Sequence, residues 1–139
     1  MEKAATYLIN HRIRPSVQRM AIMKYLLEHK THPSADEIYL ALSPSMVSLS
    51  KTTVYTTLKL LTDHGAAQMI TIDEHNACFD ADTSTHAHFL CKSCGNIYDL
   101  FSQKDSKEVL PFDLEGHDVT EMHYYYKGFC KNCISRKDE

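Results

Sequence analysis

The chain has 139 residues, of which 43% are hydrophobic, and its formal net charge is −3 at pH 7. This length fits one large domain or two small ones. No apolar run approaches membrane-spanning length, and the stretch MEKAATYLIN lacks the core of a signal peptide. The sequence therefore predicts a cytoplasmic protein with reduced thiols and no membrane partner.

The charge is distributed unevenly along the chain. Residues 1–64 carry eight Lys/Arg and five Asp/Glu, a net charge of +3, whereas residues 65–139 carry seven and thirteen, a net charge of −6. The acidic half also holds all five cysteines. The asymmetry suggests two different functions, although a difference of this size can serve solubility alone.

Two helices are predicted in the first part of the basic half. In residues 15–29 the apolar side chains Val17, Ile22, Met23, Leu26 and Leu27 recur at helical spacing, and Ser16 precedes them as an N-cap. A second helix follows in HPSADEIYLAL. There, Ser34 and Glu37 form a capping-box pattern, Ile38 and Leu42 continue an apolar stripe, and residues 43–45 end the helix.

A third helix is predicted in SKTTVYTTLKLLTDHG. Ser50 would cap its start, and Gly65 suits the left-handed conformation that follows a helix end. Val54, Leu58 and Leu61 should face the core. The opposite face then carries ammonium groups, hydroxyls and one aromatic ring from Lys51, Thr52, Tyr55, Thr56 and Lys59.

Two predicted strands, AAQMITI and ACFDAD, are joined by the polar turn DEHN. Three helices followed by a hairpin form a winged helix-turn-helix layout, with residues 50–64 as the recognition helix. Its outward face has no carboxylate of its own and suits phosphates and thymine methyl groups. We add Arg14 and Arg19 to the expected contacts with double-stranded DNA. Any amphipathic helix has a polar outer face, so the same pattern also occurs in helices that do not bind DNA.

Four cysteines in the acidic half form two C-x-x-C pairs, Cys91 with Cys94 and Cys130 with Cys133. Each pair can hold one side of a tetrahedral Zn²⁺, and four thiolates leave no open coordination position. The spacing therefore predicts a structural zinc site that ties the segment around Cys91 to the segment around Cys130.

The histidines of THAHFLC point to a second metal site. His86 and His88 lie two residues apart on a predicted strand and so share a face, whereas Cys91 is an odd number of residues from both. Four sulfurs already complete a zinc shell, so the imidazoles would serve another ion. Nearby candidates for further ligands are His32, Asp80, Asp82 and Asp99. Imidazole and carboxylate without thiolate favour Fe²⁺, Mn²⁺ or Zn²⁺.

The chain resembles the ferric uptake regulator superfamily of bacterial metal-responsive repressors over nearly its whole length. The resemblance runs through RPSVQRMAI, HPSADEIY, LSKTTVYTTLKLLTDHG, CFDAD, HAHFLCKSCGNIYDL and GFCKNC. It implies an α+β protein that works as a homodimer on operator DNA. An N-terminal winged helix, residues 1–82 with a hinge at its end, would precede an α/β dimerisation and metal-binding domain, residues 83–139.

The resemblance also implies roles for individual residues. Cys91, Cys94, Cys130 and Cys133 match the ligands of the structural zinc. The ligands of the regulatory Fe²⁺ or Mn²⁺, a site that Zn²⁺ can occupy in vitro, match His32, Asp80, His86, His88 and Asp99. A metal that bridges the two domains would fix the angle between the two DNA-reading heads of the dimer.

Aspartate at both carboxylate positions, Asp80 and Asp99, is similar to the peroxide-responsive branch of the family. In that branch bound Fe²⁺ reacts with H₂O₂ and a ligand histidine is oxidised, by position His32 or His86 here. The alternative within the family is an iron-, zinc- or manganese-uptake repressor that senses metal availability only.

Three features stand outside this pattern. A third family metal site aligns with Met122, and His123 lies one residue further on, so a ligand there would be on the other strand face. Cys78 is interpreted as a small buried strand residue. A zinc deaminase, the remote alternative from another class, needs the motif H-x-E. Here Ala87 separates two histidines, so the glutamate of that motif is missing. We therefore predict no enzymatic activity and no catalytic residues.

Overall fold

The structure, a computed structural model, describes residues 2–73, 76–82, 87–101, 113–119 and 122–137. The chain divides into two compact units, Met1–Thr83 and Ser84–Glu139. Of the expected site residues, His86 lies outside the described residues. No helix in the described part of the chain is long and apolar enough to cross a membrane.

The described residues of the first unit form four helices and a pair of antiparallel strands. They are α1 (Glu2–Asn10), α2 (Val17–Glu28), α3 (Ala35–Leu42) and α4 (Lys51–Asp63), followed by β1 (Gln68–Ile70) and β2 (Cys78–Asp80). The three predicted helices are thus preceded by a fourth, α1, which buries Ala4 and Leu8 one helical turn apart. The predicted winged helix-turn-helix gains this extra helix at its start.

Three serines begin α2, α3 and α4, as predicted. Ser16, Ser34 and Ser50 each have extended backbone, and each side chain accepts a hydrogen bond from the backbone N–H three residues later. Such a cap satisfies one of the N–H groups that a helix start leaves unpaired. The three caps therefore fix the residue at which each helix begins.

The core of the first unit is built from the apolar faces of its helices. Ile22, Met23 and Leu26 of α2 are buried together with Ile38 of α3. Val54, Leu58 and Leu61 of α4 are also buried, as predicted, and they belong to the same cluster. Val17 departs from the predicted stripe and is 65% exposed, because it lies at the first turn of α2, beyond the packed face.

The hairpin is shorter than the sequence predicted. β1 and β2 pair antiparallel from Gln68 opposite Asp80 to Ile70 opposite Cys78. The N–H groups of Ala66 and Ala67 instead donate to the Leu61 carbonyl, over 2.8 and 3.3 Å, in the turn that ends α4. Gly65 begins this turn with φ of 76°, as its predicted left-handed role requires. The helix end therefore uses donors that a longer strand would need.

In the described part of the second unit, three strands form a sheet in the order β4-β3-β5. β3 (Ala87–Cys91) pairs antiparallel with β4 (Ile97–Leu100) and parallel with β5 (Tyr124–Gly128). A short helix, α5 (Lys131–Lys137), follows β5. This mixture of strands and a helix agrees with the expected α/β class.

Candidate metal centres and nucleic-acid interface

The four cysteines of the two C-x-x-C pairs meet at one end of the central strand. Cys91 is the last residue of β3 and Cys94 lies in the turn that follows, whereas Cys130 directly precedes α5 and Cys133 lies in its first turn. The parallel pairing of β3 with β5 brings the two segments together, because Cys91 is opposite Gly128. All four Sγ atoms lie within 4.8 Å of one another.

Backbone hydrogen bonds stabilise thiolates in this cluster. The N–H groups of Cys94 and Cys130 donate to Cys91 Sγ over 3.4 and 3.3 Å, and with the Cys94 bond as the largest cause the pKa of Cys91 falls to about 6. The Cys133 N–H and the Tyr98 hydroxyl donate to Cys130 and lower its pKa. A hydrogen bond with Cys130 raises the pKa of Cys133 to about 11.

The cluster fits a zinc ion better than a disulfide. Cys94 Sγ and Cys130 Sγ are 3.8 Å apart, and all five cysteines of the chain are free thiols. Sulfurs about 2.3 Å from a tetrahedral Zn²⁺ are about 3.8 Å from each other, whereas a disulfide needs about 2.05 Å. Three of the four cysteines are buried and pack with Phe89 and Tyr98. The donor set and its spacing therefore match a closed structural site.

His88 belongs to a different environment from that of the thiols. It lies opposite Asp99 in the β3–β4 pair, and its Nε2 is 3.3 Å from Asp99 Oδ1. The His88 side chain is 2% exposed and that of Asp99 is 19% exposed. Phe89, the next residue, packs with Cys91 on the thiol side. Strand alternation thus separates imidazole from thiol, as the parity argument predicted.

His32 and Asp80 form a second imidazole–carboxylate pair, in the first unit. An isolated antiparallel bridge between Ser34 and Cys78 brings the segment before α3 alongside β2. His32 Nε2 is 3.7 Å from Asp80 Oδ2, and both side chains are at most 4% exposed. The other carboxylate oxygen of Asp80 accepts the Asp82 N–H over 2.9 Å, which orients the carboxylate.

Within each pair, the two atoms are about as far apart as two ligands bound to the same ion. Ligand atoms about 2.1 Å from a metal, at angles of 90–120°, are about 3.0–3.6 Å from each other. The separation is 3.3 Å for His88 with Asp99, which is within this range, and 3.7 Å for His32 with Asp80, which is slightly above it. Asp82, the other aspartate considered at the end of β2, instead accepts a hydrogen bond from Gln68 Nε2 through its backbone carbonyl.

The predicted reading face of α4 is exposed as expected. Its five residues, Lys51, Thr52, Tyr55, Thr56 and Lys59, are all exposed to solvent. The prediction that this face has no carboxylate of its own is wrong, because Asp63 follows Lys59 by one helical turn on α4. Asp36 of α3 also reaches the face, which the sequence did not indicate. Lys59 Nζ is 3.2 Å from Asp63, and the Tyr55 hydroxyl donates to Asp36 of α3 over 3.0 Å.

The two arginines expected at the DNA line a groove beside this face. The groove has a volume of about 370 Å³ and is lined by Arg14, Pro15, Ser16, Gln18, Arg19, Thr53, Thr56 and Thr57. The Arg19 guanidinium donates to the Arg14 carbonyl over 2.9 Å, which holds it at the start of α2. Arg14, Arg19 and Thr56 are thereby brought together, with cationic and hydroxyl groups suited to a phosphate.

Cys78 and His123, the other two residues considered from the sequence, belong to neither candidate metal centre in the part of the chain that the structure describes. Cys78 is buried in β2, and burial raises the pKa of its thiol. His123 Nδ1 is 3.3 Å from the Tyr125 hydroxyl. Among the described residues, the groups that could hold a metal do not include His123. Tyr98 and Asp36, in contrast, are site neighbours that the sequence did not reveal, because each reaches its partner from a distant segment.

The chain is similar to known proteins over most of its length. The sequence profile of the ferric uptake regulator family matches residues 10–123. The peroxide-responsive repressor PerR of Staphylococcus saprophyticus is 37% identical over 134 residues, which cover 96% of this chain and 90% of that protein. PerR of Staphylococcus epidermidis is also 37% identical, over 96% of this chain and 89% of that protein.

Solved structures show the same fold. PerR of Streptococcus pyogenes is 28% identical, with a TM-score of 0.53 over 95% of this chain and 91% of its own. The ferric uptake regulator of Pseudomonas aeruginosa with manganese is 22% identical, with a TM-score of 0.72 over 91% and 96%. The ferric uptake regulator family consists of transcriptional regulators rather than enzymes, so the deaminase alternative is not supported. The chain belongs to the ferric uptake regulator family.

Proposed function

We propose that the protein is a homodimeric, metal-dependent repressor that binds operator DNA in the cytoplasm and senses peroxide. The observation that carries the proposal is a buried imidazole–carboxylate pair in each unit, His32 with Asp80 and His88 with Asp99. Two ligands are too few for Fe²⁺ or Mn²⁺, which prefer larger coordination shells. We therefore propose that one regulatory ion takes ligands from both pairs.

His86 would complete the set as a fifth ligand. It lies two residues before His88 in the sequence, the spacing at which strand residues share a face. Three imidazoles and two carboxylates form a donor set for Fe²⁺ or Mn²⁺, and Zn²⁺ can compete for the same atoms in vitro. When it is bound, ferrous iron would supply the reduction of peroxide that leads to oxidation of His32 or His86.

The regulatory consequence follows from placing ligands on both units. A ligand set shared by two units stabilises the arrangement in which all its members meet, and thus shifts the population toward that arrangement. We assign DNA binding to this arrangement. Oxidation of His32 or His86 removes a donor nitrogen, so the population returns to arrangements that release the operator.

The thiol cluster has a different role in the proposal. Cys91, Cys94, Cys130 and Cys133 would hold a structural Zn²⁺ that stabilises the second unit and with it the dimer. Four sulfurs complete the zinc shell, so this ion has no open position for peroxide. The cytoplasm suits such a site because it keeps thiols reduced.

DNA would be read by α4. Its exposed face would enter the major groove, while the groove lined by Arg14 and Arg19 would take a backbone phosphate. In this arrangement Lys51, Thr52, Tyr55, Thr56 and Lys59 face the bases and the adjacent phosphates.

The experiment is a metal-dependent DNA-binding assay followed by a peroxide challenge. Zinc-loaded protein is tested under anaerobic conditions with no second metal, with Mn²⁺ and with Fe²⁺, using genomic DNA fragments and sequencing of the bound pool. Both metals should give sequence-selective binding, and dilute H₂O₂ should abolish it for the Fe²⁺ protein only. Mass spectrometry should then find a gain of about 16 Da on a peptide containing His32 or His86.

The other outcomes separate the alternatives. Selective binding with either metal that survives peroxide, with both histidines unmodified, identifies an uptake repressor that senses iron, zinc or manganese only. The curated relatives named as peroxide-responsive repressors favour the peroxide-sensing alternative. Equal binding with and without the second metal would exclude both.

A further inference from the structure

Two side chains of α3 contact two side chains on the reading face of α4. Asp36 accepts a hydrogen bond from the Tyr55 hydroxyl over 3.0 Å, and the Tyr39 ring lies 5.7 Å below Lys51 Nζ. Asp36 and Tyr39 are three residues apart on α3, and Lys51 and Tyr55 are four apart on α4, so each pair lies along one helix face. The α3 helix therefore supports the reading face from one side.

The proton in the Asp36–Tyr55 bond can be assigned. An ionised carboxylate can only accept hydrogen bonds, whereas a tyrosine hydroxyl has a single proton to donate. The bond therefore uses that proton, and it leaves the hydroxyl oxygen with lone pairs only. Hydrogen bonding to Asp36 also raises the pKa of Tyr55 above its ordinary value.

We infer that Asp36 is a positioning residue that makes Tyr55 an acceptor-only reader of base edges in the major groove. This inference rests on the proposed function, in which α4 enters the major groove. The groove donors that an acceptor can meet are the adenine N6 and cytosine N4 amino groups. Guanine O6 and N7, thymine O4 and the phosphates all accept, so they give this oxygen no hydrogen bond.

The negative charge of Asp36 also favours discrimination between DNA sequences. Both Asp36 and Tyr55 are exposed, and Tyr55 is 52% exposed, so the pair can reach a bound duplex. A carboxylate at this edge repels phosphates in an incorrect register, which lowers binding to unrelated sequences. The pair thus favours sequence discrimination over total affinity.

Glu37 offers a matched control. It is the next residue, also exposed in the first turn of α3, and it carries the same charge. Its field acts on Cys78 of β2, whereas Tyr55 donates to Asp36. Glu37→Ala therefore removes the same charge and the same helix-dipole interaction as Asp36→Ala but leaves the Tyr55 hydrogen bond in place.

The first measurement needs no DNA. The zinc-loaded protein, with ring-labelled tyrosine, is titrated by NMR as wild type, Asp36→Ala and Glu37→Ala, and Tyr55→Phe assigns the signal. The Tyr55 pKa should fall toward its ordinary value in Asp36→Ala and remain raised in Glu37→Ala. An unchanged Tyr55 pKa in Asp36→Ala would show that the bond is absent in solution, and the inference would be wrong.

The second measurement uses the Mn²⁺-loaded protein and a library of randomised duplexes. Wild type should prefer adenine or cytosine over thymine or guanine on one strand, at one position of each half-site. Asp36→Ala and Tyr55→Phe should each reduce that preference about three- to tenfold. The double variant should lose no more than either single variant. Glu37→Ala should keep the wild-type preference.

The failures are distinguishable. If wild type selects no sequence, the proposed function is wrong and the inference falls with it. If wild type selects a sequence and Asp36→Ala selects it with the same preferences, only the inference is overturned. The same conclusion follows if Glu37→Ala reduces the preference as much as Asp36→Ala, because general charge would then explain the effect.

Discussion

The backbone N–H of Phe79 donates to the carbonyl oxygen of Pro33 over 2.9 Å. Because His32 precedes Pro33 and Asp80 follows Phe79, this bond holds the imidazole and the carboxylate on adjacent backbone segments. His32 itself has φ of 59°, a left-handed conformation that costs a non-glycine residue on the order of 1–2 kcal/mol. The wing of the first unit therefore maintains a strained histidine next to Asp80.

Asp80→Asn should weaken the binding of Mn²⁺ without affecting the zinc ion of the thiol cluster. The amide keeps the shape of the side chain but removes the charge that an Mn²⁺ ligand supplies. We expect Mn²⁺ affinity, measured calorimetrically on zinc-loaded protein, to fall on the order of 10–100-fold. The difference in DNA affinity with and without Mn²⁺ should shrink in parallel, because binding and conformation are linked.

The control for this change is Asp73→Asn, which removes an aspartate charge after β1 in the same unit but outside the His32–Asp80 pair. It should leave Mn²⁺ affinity unchanged. Wild-type Mn²⁺ affinity in Asp80→Asn would remove Asp80 from the proposed ligand set.

Cys94→Ser should empty the thiol cluster. A serine hydroxyl is a poor zinc ligand, so we expect zinc content, measured by elemental analysis, to fall from about one ion per chain to near zero. The second unit should then unfold at lower temperature, because metal binding contributes directly to folding. Circular dichroism should report the change.

Cys78→Ser is the matched control because this thiol lies in β2, outside the cluster. Full zinc content is expected in this variant. Zinc lost equally from both variants would mean that zinc binding does not depend specifically on the four cysteines of the cluster.

Local patterns predicted the parts of the molecule that local physics determines. The serine caps and the buried face of α4 were readable because capping and helical periodicity act within a few residues. The α1 helix was missed, although Ala4 and Leu8 have helical spacing, because no serine, threonine, aspartate or asparagine precedes it as a cap signal.

Pairings between distant segments were harder to predict. Strand parity correctly separated His88 from Cys91, but the position of Asp99 opposite His88 depends on the length of the β3–β4 turn. The parallel pairing of β3 with β5, which joins the cysteine pairs, follows from no local pattern. The Asp36–Tyr55 contact likewise depends on how α3 packs on α4.

The two lysines of the reading face should contribute unequally to DNA binding. Lys59 lies 3.2 Å from Asp63, which partly neutralises it, whereas Lys51 lies over the Tyr39 ring. Lys51→Ala should therefore weaken binding to all sequences and reduce the salt slope by about 1, with a smaller reduction for Lys59→Ala. Fluorescence anisotropy between low and moderate salt measures both slopes.

Lys24→Ala provides the comparison for these variants, since Lys24 is a partly exposed lysine of α2 that is 3.9 Å from Glu28. It should retain the wild-type slope. A slope reduced equally by all three substitutions would indicate a general charge effect rather than contacts made by α4.

Cys78 should be slow to alkylate in the folded protein. Burial raises its pKa, so less thiolate is present at pH 8 than for an exposed cysteine. Because the folded state holds this proton more tightly, the corresponding stability is present below the ordinary thiol pKa and is lost as pH rises above it. Mass spectrometry after iodoacetamide treatment should show little Cys78 modification at pH 8 and more at higher pH. Rapid labelling of folded protein at pH 8 would contradict the buried position.

Ser50→Ala should destabilise the first unit without altering its reading face. The Ser50 side chain accepts the Thr53 N–H over 3.1 Å at the start of α4, and loss of such a cap costs about 1 kcal/mol. Urea unfolding should therefore show a lower midpoint with an unchanged slope. Ser48→Ala, at an exposed serine two residues earlier, should behave as wild type. An equal loss of stability in both variants would show that the hydrogen bond from Thr53 to Ser50 does not fix the start of the helix.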